Sequence, residues 1–128
     1  MLVLDASAMV DLLLGAPPAL AIRLRLLGGE IHTPAHFDAE VLSALGRLSR
    51  ADHVPAAAVP ALLPRVENAQ VQRHPVGSLL TGAWARRGDL RLVDALYVEL
   101  AERLGAPIIS TDDRLVAAAP IAENPAVG

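Results

Sequence analysis

Short apolar runs alternate with longer stretches of helical periodicity along the whole chain. Leu2-Val3-Leu4 has the pattern of a strand buried on both faces. Asp5 follows at once, and Ser7 opens a helical run from Ala8 to Leu14 that Gly15 closes. Pro17-Pro18 suit the first turn of a second helix, in which Leu20, Leu24 and Leu27 form an apolar stripe while Arg23 and Arg25 face elsewhere. After Gly28-Gly29, Ile31-His32-Thr33 reads as a strand and Pro34 starts a long helix to about Arg50. Its apolar arc is Phe37, Val41, Ala44, Leu45 and Leu48; Ser43, Arg47 and Arg50 take the wet side, and Glu40 falls on the border.

Pro55, Pro60 and Pro64 predict a helix from Pro55 that is bent or broken near Pro60 or Pro64. Val71-Gln72-Arg73 is a weak strand, and Ser78 to Arg87 a helix ended by Gly88. The clearest helix runs from Leu92 to Leu104, with Glu99, Glu102 and Arg103 on one face and Leu92, Val93, Leu96, Tyr97, Leu100 and Leu104 on the other. Gly105 ends it. Pro107-Ile108-Ile109-Ser110 then repeats the first pattern: a buried strand, the acids Asp112 and Asp113, and a helix from Arg114 to Ala119. Pro120 to Gly128 is a tail with room for one more edge strand. Strands alternating with helices predict an α/β fold with a mostly parallel sheet.

Length and composition narrow this further. A chain of 128 residues without repeats or linkers is expected to form one domain, residues 1–128, with a real core. It is 53% hydrophobic, yet no stretch approaches eighteen uninterrupted apolar residues, so no membrane association is expected. No basic leader precedes the first strand and there is no cysteine, which together lead us to expect a cytoplasmic protein. The missing cysteines also exclude disulfides, thiolate zinc sites and a cysteine nucleophile. All eleven basic residues are arginine, which removes P-loop and Schiff-base chemistry. A net charge of −3 argues against sequence-specific DNA binding by this chain alone, but not against a nucleic acid met through divalent metal. With Phe37, Trp84 and Tyr97 as the only aromatics, a base-stacking platform is not expected.

The acids are the candidate chemistry. Asp5 ends a buried strand, where open α/β sheets place their ligands, though Asp5 or Ser7 would also serve as a helix cap. Asp94 projects beside Val98 and Ala101, inside the apolar arc of its helix. Burial of a lone carboxylate there costs several kcal/mol and calls for a cation or hydrogen bonds, though an acid in the first turn would also suit the helix dipole. Asp112 again fits either a cap or a ligand. His32, His36, His53 and His74 lack ligand spacing and read as ordinary polar positions.

Four segments carry a family resemblance. Leu2-Val3-Leu4-Asp5-Ala6-Ser7-Ala8, Phe37-Asp38-Ala39-Glu40-Val41 with Leu45, Val93 to Ala101, and Ala106 to Leu115 resemble, in order and spacing, the four motifs of PIN-domain ribonucleases, especially the VapC toxins of bacterial toxin–antitoxin pairs. The resemblance implies a three-layer αβα sandwich around a central, mostly parallel sheet of four or five short strands. It also implies that Asp5, Glu40, Asp94 and Asp112 form a catalytic, Mg²⁺-binding quartet in which Mn²⁺ can substitute. Ser7, Ser110 and Asp113 would support the site, with Asp112 preferred over Asp113 because Leu115 follows it by three. Arg91 and Arg114 are the expected substrate-binding arginines. The implied partners are an RNA substrate, a cognate VapB-like antitoxin and a second copy in a homodimer. Two positions depart from the family pattern: Val93 stands where an aromatic is common, and Arg91 replaces a small polar residue.

Such a quartet suits phosphodiester hydrolysis, because Mg²⁺ takes oxygen ligands and keeps several waters. A haloacid-dehalogenase-like phosphohydrolase shares the aspartate after the first strand, but needs a second acid where Ser7 stands and a lysine the chain lacks. A non-catalytic PIN-like interaction module, its acids acting only as caps, is the other alternative.

Overall fold

The computed structural model describes residues 1–127, so of the expected tail only Gly128 lies outside the described residues. Five strands form one sheet: β1 (Leu2–Leu4), β2 (Ile31–Pro34), β3 (Gln72–His74), β4 (Ile108–Ile109) and β5 (Ala122–Glu123). Their order is β3-β2-β1-β4-β5, and every neighbouring pair is parallel. The chain winds outward from β1 to β3, then crosses back to place β4 on the other side of β1. Strand order therefore reverses at β1, and the carboxyl ends of β1 and β4 flank a switch point, where such sheets bind ligands.

Among the described residues, seven α-helices cover the sheet: α1 (Ala6–Leu14), α2 (Ala19–Leu26), α3 (Phe37–Arg50), α4 (Val59–Glu67), α5 (Leu80–Ala85), α6 (Leu92–Leu104) and α7 (Asp113–Ala118). Alternation along β1 sends Leu2 and Leu4 to one core and Val3 to the other. The first core joins them to Met9, Leu13, Ile22, Phe37, Val41, Leu45 and Val66, from α1 to α4. The second packs Val3 and Ile108 against Tyr97, Val98, Leu100, Ala101 and Leu115. The result is the expected αβα sandwich. Gly15 and Gly105 close α1 and α6 at φ of 60° and 62°, left-handed positions that a side chain would strain. No single helix among the described residues is long and apolar enough to cross a membrane.

Several elements differ from the expectation, for local reasons. Pro34 ends β2, in register with His74, so α3 begins only at Phe37. The segment after Pro55 forms a single 3-10 turn, Ala56–Ala58; α4 then starts with Pro60 in its first turn and runs through Pro64. Pro60 needs no helical donor there, and Pro64 forgoes only the bond to the Pro60 carbonyl. The Ser78–Arg87 helix is a 3-10 turn, Gly77–Leu79, followed by the shorter α5. The leucine stripe of α2 is not its buried side: Ala19 and Ile22 face the core, while Leu20, Leu24 and Leu27 are exposed. Ala19, Ile22 and Leu26 form an equally regular stripe, and the side with the smaller residues lies against α1. Leu92 and Val93 are also exposed, on the first turn of α6. His32 is more than an ordinary polar position: it is buried, with Nδ1 at 2.8 Å from His74 Nε2 and Nε2 at 2.6 Å from Glu30 Oε1.

Candidate active site

Asp5, Glu40, Asp94 and Asp112 line one cleft of about 420 Å³ at the carboxyl ends of β1 and β4, with Ser7, Asp11, Ser43, Arg47, Arg91 and Thr111 around them. Asp5 occupies the residue before α1 in extended conformation, yet its side chain makes no cap bond. It turns inward instead, 5% exposed, where Oδ2 accepts hydrogen bonds from Ser7 Oγ at 2.5 Å and Ser110 Oγ at 2.8 Å. Both hydroxyl hydrogens are thereby committed to Asp5, while Ser7 Oγ accepts from the Thr111 amide and Ser110 Oγ from the Asp112 amide. The two serines tie the β1–α1 turn to the β4–α7 turn and fix Asp5 between them. No donor among the described residues reaches Asp5 Oδ1.

Asp94 lies in the first turn of α6, and its side chain is 8% exposed. Its partner is Arg91, three residues earlier: Nε donates to Oδ2 at 2.9 Å and Nη2 to Oδ1 at 3.3 Å. The same Nη2 lies 3.4 Å from Asp112 Oδ2. Asp112 fulfils both readings of its position, because its other oxygen, Oδ1, caps α7 through the Arg114 and Leu115 amides. Glu40 leans over the cleft from α3. Its Oε1 accepts from the Tyr97 hydroxyl at 2.7 Å and lies 3.3 Å from His36 Nε2, whose ring packs against Tyr97 with centroids 4.9 Å apart.

The electrostatics follow from this crowding. Burial pushes the Asp5 carboxyl up to about 6, with repulsion from Glu40 and Asp94 added and the serine hydrogen bonds opposing. Glu40 is partly desolvated, but the hydrogen bonds from His36 and Tyr97 outweigh this and hold it below the usual carboxylate range. Burial, followed by the nearby Asp5 and Glu40 charges, raises the Tyr97 hydroxyl far above its ordinary value, so it remains a donor. The hydrogen bond that Arg91 donates to Asp94 raises the guanidinium and keeps it a cation.

Not every expected residue joins the cleft. Asp113 and Arg114 are displaced from it on α7; Arg114 meets the site only through its backbone amide, and Asp113 does not line it. Arg47, expected on the wet side of α3, lines the cleft instead, bonded to Ser43 across one turn at 3.1 Å. Sequence pattern does not single out Asp11 and Thr111, which close one end of the cleft through a 2.6 Å hydrogen bond. The position of Asp11, on the short helix that Asp5 immediately precedes, is the available signal.

All the acidic groups offer oxygen, the hard donor type that Mg²⁺ and Mn²⁺ accept. Asp5 keeps one oxygen without a hydrogen-bond donor, and burial, with repulsion from Glu40 and Asp94, raises its carboxyl. The residues thus fit a hard divalent cation. In the arrangement described, however, no three acidic or imidazole groups among the described residues lie close enough to grip one ion. The Arg91 guanidinium stands between Asp94 and Asp112.

Comparison with known proteins agrees with this architecture. The PIN domain family model matches residues 2–120. The chain is 54% identical over 121 residues to ribonuclease VapC3 of Mycobacterium tuberculosis, covering 94% of this chain and 88% of that one. It is 40% identical over 119 residues to ribonuclease VapC12 of the same organism, covering 90% and 89%. Among solved structures, M. tuberculosis VapC20, a sarcin–ricin loop cleaving toxin, shares the fold at a TM-score of 0.70 and 18% identity over 92% of this chain and 95% of its own. A toxin–antitoxin complex from Klebsiella pneumoniae gives 0.67 and 17%, over 98% of both chains. The chain belongs to the PIN-domain family, among its VapC-type toxin ribonucleases.

Proposed function

We propose that this protein is a divalent-metal-dependent endoribonuclease that acts as a cytoplasmic toxin and is restrained by a VapB-like antitoxin. The observation that carries the reading is the convergence of Asp5, Glu40, Asp94 and Asp112, from four separate elements, on one cleft at the switch point of the sheet. Asp5 and Asp94 would hold Mg²⁺, or Mn²⁺ in its place, with Asp112 Oδ2 as a further oxygen. A cation held there relieves charge on the scissile phosphate and acidifies water.

The chain's own groups do the rest. The Glu40 oxygen away from Tyr97 and His36 would face the attacking water, orient it and accept its proton as the new P–O bond forms. The P–O bond to the leaving ribose oxygen breaks, and that oxygen takes its proton from bulk water. The Tyr97 hydroxyl keeps Oε1 occupied and so fixes which oxygen faces the cleft. Ser7 and Ser110 prevent Asp5 from rotating. Arg91 and Arg47, which both line the cleft, would meet the phosphates flanking the reacting one, as positioning contacts without base selectivity.

Total RNA incubated with the purified protein tests this reading. Cleavage is expected in Mg²⁺ or Mn²⁺ and is abolished by EDTA; cleavage indifferent to EDTA sinks the metal-dependent mechanism. Hydrolysis of small phosphate esters with RNA left intact would favour a phosphohydrolase.

Two apolar surfaces bear on partners. Leu80, Trp84, Leu92 and Val93 are exposed around one hollow between α5 and α6, which a second copy of the chain would cover in a homodimer. Sedimentation is expected to show a dimer that Trp84→Asp converts to monomer; a dimer unaffected by that change places its interface elsewhere. The exposed Leu20, Leu24 and Leu27 along α2 offer an apolar face for an amphipathic antitoxin helix. Loss of antitoxin binding in Leu24→Asp, with RNA cleavage retained, is the expected result.

A further inference from the structure

We propose that Arg91 is an internal latch on the acidic cleft: its guanidinium holds Asp94 and Asp112 until a divalent cation displaces it, and then turns to the RNA backbone. The proposal rests on the metal-dependent reading above and adds a regulatory step to it.

The geometry is specific. Arg91 is the residue before α6, in extended conformation at φ −61° and ψ 144°, so its side chain folds back over the first helical turn. From there its planar fork takes both oxygens of Asp94, at 2.9 and 3.3 Å, and reaches Asp112 Oδ2 at 3.4 Å. Asp112 Oδ1 is committed to capping α7, so Oδ2 is the oxygen this residue has to offer. One side chain therefore engages three carboxylate oxygens on two elements.

Arg91 is itself 52% exposed, whereas Asp94 is 8% exposed. An arginine anchored on a buried acid but half in solvent can leave without disturbing the core. The anion left behind, however, needs another cation. Once released, the guanidinium stands at the rim of the same cleft as Arg47 and suits bidentate phosphate contact. Ion pairing in the free protein and substrate contact in the loaded one are alternative uses of the same donors.

Isothermal titration of the full chain with Mn²⁺ alone measures the competition. Arg91→Gln removes both charge and fork, and is expected to bind Mn²⁺ about tenfold more tightly than wild type, the scale of a half-exposed ion pair on a buried partner. Arg91→Lys keeps the charge but not the fork, and should fall between them; a lysine variant equal to wild type would reduce the effect to long-range charge and overturn the latch. The Arg91 Nε–H signal in ¹⁵N spectra, identified by its loss in Arg91→Gln, should be protected from solvent exchange in EDTA and lose that protection on Mg²⁺ addition. A signal still protected at saturating Mg²⁺ overturns the proposal.

In cleavage assays Arg91→Gln should reach half-maximal rate at lower metal concentration, yet show a raised KM for RNA at saturating metal. The two readings separate cleanly. A wild-type chain that neither binds Mn²⁺ nor cuts RNA fails the nuclease reading and the latch together. One that binds and cuts, with Arg91→Gln unchanged in affinity, fails the latch alone.

Discussion

Asp94→Asn is expected to lower RNA cleavage by on the order of 10²–10³-fold while leaving the fold intact. The substitution keeps shape and changes charge at a side chain that is 8% exposed, so no cavity opens. The carbonyl oxygen of the introduced asparagine still accepts from Arg91, and the neutral amide adds no buried charge. In the proposed mechanism Asp94 and Asp5 would hold the cation, and both are removed from water. Loss of its charge weakens cation binding and leaves Arg91 facing Asp112 alone. Cleavage rate on a defined RNA, with circular dichroism and a thermal melt as the fold control, checks this. Activity within twofold of wild type would remove Asp94 from the site.

Asp94 also illustrates what a sequence can carry. Its place on the apolar arc of α6 follows from the helical period, and its burial agrees with that reading. The cost of that burial already calls for a cation or hydrogen bonds. What the period does not convey is which cation stands there. Arg91 lies one position outside the helix, where local pattern does not determine side-chain direction, so its inward fold depends on tertiary structure. Arg47 reads as a wet-side residue for a related reason: that side of α3 faces no core, but it faces the cleft. Periodicity separates apolar faces from polar ones; it does not separate solvent from a solvent-filled site. The stripe on α2 shows the complementary limit, since two regular apolar stripes share one short helix and only the packing against α1 chooses between them. The sheet is more legible, because buried runs such as Leu2–Leu4 and Ile108–Ile109 have no alternative environment. The contact between His32 and His74 is invisible to local pattern, because they meet through the register of β2 on β3, 42 residues apart in sequence.

Asp5→Asn is expected to abolish cleavage and, in metal-free buffer, to stabilise the protein. Burial holds the folded-state pKa of Asp5 at about 6, above the ordinary carboxylate value that applies when unfolded. The folded chain therefore binds this proton more tightly, and ionised Asp5 opposes folding. Below about pH 4 the group is protonated in both states and the penalty is absent. It grows as pH rises through about 6 and then levels off near 3 kcal/mol, about two pKa units at roughly 1.4 kcal/mol each. The asparagine side chain does not titrate. Its carbonyl oxygen can accept from Ser7 and Ser110 as Asp5 Oδ2 does, and its amide would point toward the acids of the cleft. In EDTA at pH 7.5 the variant should thus exceed wild type by about 3 kcal/mol in urea denaturation, and the gap should close toward pH 4. Mg²⁺ should narrow it from the other side, because cation binding favours the chain that retains its carboxylate. An Asp5→Asn protein less stable than wild type at pH 7.5, or a gap independent of pH, would mean that Asp5 is not held against its own charge. The strain would then have to be sought elsewhere in the cleft.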